Sequence, residues 1–68
     1  MTKREKLQAL SIAAHVDEAA TTHHVEIGEG DTYRSFGCAT TMKAARSLRA
    51  AMRREPESYP TLAAWISS

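Results

Sequence analysis

Apolar and polar positions follow a helical period at both ends of this chain and a strand-like period in its middle. Between Lys3 and Ala20, Arg4, Gln8, Ser11, His15 and Glu18 fall on one strip of a helical wheel. Ala9, Ile12, Ala13, Val16 and Ala20 fall opposite, and Leu7, Leu10 and Ala14 widen the apolar side. That pattern predicts a first helix over about Lys3–Ala20. Thr2 and Glu5 have capping-box spacing, in which each side chain satisfies the other's backbone N–H. A competing pattern runs through the same stretch, because Leu10, Ile12, Ala14 and Val16 also alternate with period two. Alanine content, the capping box and the length favour the helix.

Thr21 and Thr22 are β-branched and end that helix. His23, Val25 and Ile27 then alternate with His24 and Glu26, as on a half-buried strand. Gly28-Glu29-Gly30-Asp31 is a cluster of turn residues, and Thr32–Cys38 reads as the return strand of a hairpin. Tyr33 and Phe36 are three positions apart, so one regular strand cannot place both on the same face. Either a bulge lies near Gly37 or Tyr33 lies on the open face.

Thr40 or Thr41 can cap the next helix, expected over about Thr41–Arg54. Ala44, Ala45, Leu48, Ala51 and Met52 form its narrow apolar stripe, which suits close approach to the sheet or to the first helix. Pro56 ends it, and Pro60 begins a short last helix to about Ser67. Leu62, Trp65 and Ile66 share a face there. The expected fold is α+β: a single small domain over 1–68, in the order α-β-β-α-α, with a two-stranded antiparallel hairpin packed against helices.

Composition changes this picture in one respect. The hydrophobic share is 43%, but much of it is alanine, so the core is thin and oligomerisation or a partner would stabilise it. A homodimer through hairpin edges or alanine-rich helix faces is one expectation. No apolar run approaches the length of a membrane span, and no secretory leader is apparent at the start. The single cysteine excludes a disulfide framework. A cytoplasmic setting follows as the default.

Charge is more informative in order than in total. The formal net charge is +1, yet Asp17, Glu18, Glu26, Glu29 and Asp31 form a run without a cation. Arg34, Lys43, Arg46, Arg49, Arg53 and Arg54 then form a run without an acid. The candidate partner-binding residues are therefore Lys43, Arg46, Arg49 and Arg53 on one helix, and Glu26, Glu29 and Asp31 around the hairpin. The first set can track phosphates or dock on an acidic protein.

No catalytic set, metal site or cofactor is read here. His23 and His24 are adjacent on a strand and point to opposite faces, and no spacing brings four ligands together. His23 is expected partly buried, His24 exposed, and Cys38 a small buried apolar residue. Gly28–Asp31 lacks the Lys-Ser/Thr of a phosphate loop. The leading expectation is a non-enzymatic protein-interaction module, such as a phage or mobile-element inhibitor or regulator of a larger complex. The alternative is a nucleic-acid-binding protein that uses the basic face of the second helix. Thr41-Met42-Lys43-Ala44-Ala45-Arg46 has a six-residue likeness to the start of the last helix in double-stranded-RNA-binding domains. There a Ser-Lys-Lys-x-Ala-Lys run holds phosphates. Met42 stands where that run has a cation, and the two expected strands are one short of that fold's three. No family is assigned from it.

Overall fold

The structure is a computed structural model that describes residues 2–17 and 22–68. Helix α1 spans Lys3–Gln8, and the Thr2 hydroxyl accepts from the Glu5 N–H at 3.2 Å, as the capping box requires. The helix then stops at Ala9. Strand β1, Leu10–Asp17, follows directly. The long first helix expected to Ala20 is therefore corrected: the period-two pattern prevails from Leu10 onward. Positions 18–20 of that expected helix lie outside the described residues.

The physical reason is tertiary. Strand β2, Thr22–Glu29, pairs with β1 in unbroken antiparallel register, from Leu10 opposite Glu29 to Asp17 opposite Thr22. Ile12 then faces Ile27 and Ala14 faces Val25, which lines up the apolar positions of both strands on one face. Helix propensity is worth tenths of a kcal/mol per residue and yields to such packing. Strand β3, Ser35–Ala39, pairs with the other side of β2, so the sheet has three strands in the order β1-β2-β3. The α+β class and the antiparallel hairpin on helices stand.

A bulge sits where β3 crosses Ile27. Ile27 is opposite Gly37, but Gly28 is opposite Ser35, which leaves Phe36 as the additional residue. The bulge lets Phe36 reach the core, with its ring centroid 5.1 Å from that of Trp65 and the planes tilted by 47°. Tyr33 meanwhile lies across Gly28, where any β-carbon would meet its ring. The two aromatics thus take opposite faces.

Helix α2, Met42–Arg54, is capped by the Thr41 hydroxyl, which accepts from the Ala44 N–H at 3.1 Å. It packs on the face carrying Leu10, Val25 and Ile27, and buries Ala45 and Met52 there. The bare α-carbon of Gly37 permits this approach: a β-carbon there would sit 2.7 Å from Met52 Cε. A 3₁₀ turn at Pro56–Ser58 leads into α3, Pro60–Ser67, which adds Leu62, Trp65 and Ile66 to the core. Lys6 ties the ends of the chain together, since its Nζ donates to the carbonyls of Ile66 at 3.3 Å and Ser68 at 2.6 Å. Helix α2 covers the Val25 and Ile27 face, and the other face carries Ser11, Ala13, His15, His24, Glu26 and Cys38, of which His15 and Cys38 are exposed and the rest half-buried.

Candidate functional site

The basic residues of α2 divide into two groups. Lys43 and Arg46 are exposed and Arg49 is half-buried, and the three follow one another at three-residue spacing along α2. Met42, 38% exposed, stands beside them at the start of the helix. Arg53 is different. Its Nε donates to the Leu7 carbonyl at 3.2 Å, and one Nη donates to the carbonyls of Gln8 at 3.3 Å and Leu10 at 3.1 Å. Those carbonyls lie at the junction where α1 ends and β1 begins. Arg53 is thus a structural clamp, and its planar fork suits several carbonyls at once. Partial burial, and then the charge of Arg49, hold its pKa below the usual guanidinium value.

The acidic candidates do not gather. Glu26 is opposite Ala13 and Cys38, and so lies on the sheet face away from α2. It faces the same side as Tyr33, whose pKa is raised by burial and then by the Glu26 charge. Glu29 is opposite Leu10 and on the helix side, and Asp31 is exposed in the turn beyond it. The Arg53 bond to Leu10 places the end of α2 at this same end of the sheet. Lys43 is ten positions earlier on α2, about 15 Å away along the helix axis. The structure therefore brings Lys43, Arg46 and Arg49 together, engages Arg53 internally, and carries Glu26 and the Glu29–Asp31 turn elsewhere.

Cys38 is exposed, not buried, because its register opposite Glu26 turns it to the face away from α2. The histidines also exchange roles: His23 is exposed and His24 half-buried. His23 shares the face of Val25, but β3 pairs with β2 only from Val25 onward, so it lies past the third strand. Among the described residues no three His, Cys, Asp or Glu side chains are placed to hold a metal ion. A hollow beside α3 is bordered by Arg34, Pro60, Thr61, Ala64, Trp65 and Ser68, with Arg34 its one charged side chain. No helix among the described residues is long and apolar enough to cross a membrane. Comparison with protein-family models, curated proteins and solved structures returns no match.

Proposed function

We propose that this protein binds nucleic acid, contacting the phosphate backbone with Lys43, Arg46 and Arg49 of α2 and doing no chemistry on it. The observation that carries this reading is the separation of charge. Lys43 and Arg46 are exposed and Arg49 is half-buried next along α2, and Glu26 lies on the other sheet face while Glu29 and Asp31 lie toward the far end of α2. The Thr-capped start of α2, with Lys43 and Arg46 exposed in its first turns, makes duplex RNA the first ligand to test. A-form duplexes are read by shape and phosphate contacts, so no aromatic stacking platform is required. A reducing compartment suits the exposed thiol of Cys38.

The test is fluorescence anisotropy with duplex RNA and duplex DNA of the same sequence, at low and rising salt. Three phosphate contacts give a slope of about −2 to −3 in log K against log salt. Reversing Lys43 and Arg46 together to Glu should abolish binding while leaving the circular dichroism spectrum intact. Absence of binding at low salt rejects the reading. If an acidic polypeptide binds instead, with the same dependence on Lys43 and Arg46, the basic flank docks on protein, and the regulator or inhibitor class takes its place.

A further inference from the structure

β1 is an edge of the sheet, eight residues long, and its register with β2 is unbroken. The Gly30 N–H donates to the Ala9 carbonyl at 3.2 Å, which sets the phase of the β1–β2 ladder. Hydrogen-bonded and non-hydrogen-bonded pairs alternate along an antiparallel ladder. Ala9–Gly30 is a bonded pair, so Ser11–Gly28, Ala13–Glu26 and His15–His24 are bonded as well. The backbone N–H and C=O groups of Leu10, Ile12, Ala14 and Val16 consequently point away from β2. The outward carbonyl of Leu10 confirms this phase, because Arg53 donates to it from outside the sheet. From Ser11 to Val16 the edge has no Pro, no Lys, no charged carboxylate and no bulge, the devices that usually block strand addition. Ala14 and His15 are exposed there.

We propose that this edge pairs with β1 of a second copy, antiparallel, about a two-fold axis at Ala14. Outward-pointing residues must meet outward-pointing residues, which leaves axes at Ala13 or Ala14 as the central choices. An axis at Ala13 pairs Leu10 with Val16 and needs the Leu10 carbonyl that Arg53 already occupies. An axis at Ala14 pairs Ile12 with Val16 and Ala14 with Ala14, and uses only the groups beyond Leu10. Each of those pairs exchanges two backbone bonds. Small side chains meet at the axis, and Ala13 faces His15 on either side of it. The second copy also remedies a local weakness. β3 reaches only Val25 along β2, so β1 and β2 continue past it as a two-stranded ribbon, a form of marginal stability in water. Antiparallel pairing lays each ribbon beside the helix-covered half of the other copy in one six-stranded sheet. Both α2 layers then lie on one side. The pairing does not depend on the nucleic-acid reading.

The experiment is light scattering after size exclusion, from micromolar to millimolar protein, on wild type, Ala14→Pro and Ala14→Lys. Wild type should show twice the 7.5 kDa chain mass. Ala14→Pro deletes the outward N–H at the axis and no bond to β2, so it should fold and dimerise about 30-fold more weakly. If that variant fails to fold, Ala14→Lys carries the test, since two cations then abut at the axis. In a Cys38→Ser background, Ala14→Cys should crosslink under mild oxidation faster than Ala13→Cys, because a bonded pair has α-carbons about 5.5 Å apart, within disulfide reach. A wild type that stays at 7.5 kDa throughout overturns the proposal. So does a folded Ala14→Pro or Ala14→Lys with undiminished dimerisation, or equal crosslinking at the two cysteine positions.

Discussion

Arg53 and Arg46 are the same residue type on the same helix, and the structure assigns them opposite roles. Replacing Arg53 with Gln removes three bonds to the carbonyls of Leu7, Gln8 and Leu10, at 3.1–3.3 Å. A bond from a charged donor contributes about 1.5–3 kcal/mol when water is excluded. Here one Nη serves two carbonyls, and the half-buried site lets water replace part of what is lost, so the net cost is about 1–2 kcal/mol. For a domain of this size that lowers Tm by about 5–15 °C. Lys in its place keeps the charge but offers a single point donor in place of a fork, so it should recover half of the loss at most. Arg46→Gln should leave Tm unchanged, as exposed substitutions away from packing change stability by about 0.5 kcal/mol or less. Its effect should fall on duplex RNA binding, with the salt slope reduced by about 1. Thermal melts followed by circular dichroism, and anisotropy well below the lower Tm, separate the two. The reasoning fails if Arg53→Gln melts at the wild-type temperature and binds as weakly as Arg46→Gln, because Arg53 would then belong to the interface.

Four other substitutions probe the fold. Gly28→Ala should destabilise more than Gly37→Ala: at Gly28 the new methyl meets the Arg34 backbone, itself held by the Glu29 N–H at 3.2 Å, whereas at Gly37 it meets the movable end of Met52. Urea midpoints should place Gly37→Ala about 1–3 kcal/mol below wild type and Gly28→Ala lower still. Leu62 is fully buried, so Leu62→Ala should lose about 2–5 kcal/mol by the same measurement, a large part of the stability of so small a domain. Tyr33 has its pKa raised above 10.0 in the fold, chiefly by burial and further by Glu26. Its neutral form is favoured in the folded state, so its contribution is complete below pH 10 and lost as pH rises through the folded value. Wild type should therefore lose more stability than Tyr33→Phe between pH 9 and 11, measured by denaturant titration at each pH.

From Val25 to the end of the chain, sequence periodicity and structure agree closely, because each element carries a local signal of its own. Thr41 caps α2, Pro60 opens α3 and the Tyr33–Phe36 spacing betrays a bulge, while the chain bends at Gly30–Thr32 because Gly28 and Glu29, expected in the turn, stay paired in β2. The residues from Leu10 to Val16 carry two signals of similar strength. A window rich in Ala and Leu satisfies a helical wheel almost anywhere, since alanine fits either side. The decisive information is non-local: Ile12 and Ala14 acquire a reason to alternate only when Ile27 and Val25 lie opposite them.

The site was legible as a set of cations but not as a surface. Helical spacing alone puts Arg53 on the same flank as Lys43 and Arg46, and the wheel contains nothing that withdraws it. Withdrawal depends on where α1 stops. Had α1 continued to Ala20, the Leu7, Gln8 and Leu10 carbonyls would have been bonded within the helix, and Arg53 would have remained available. Ending α1 at Gln8 puts those carbonyls at the junction with β1, and Arg53, at the end of α2 next to Leu10, is the donor that reaches them. The strand at Leu10–Asp17 and the internal engagement of Arg53 therefore share one cause, the end of α1 at Gln8. That leaves Lys43, Arg46 and Arg49, nearer the start of α2 and farther from the Glu29–Asp31 turn, as the proposed interface.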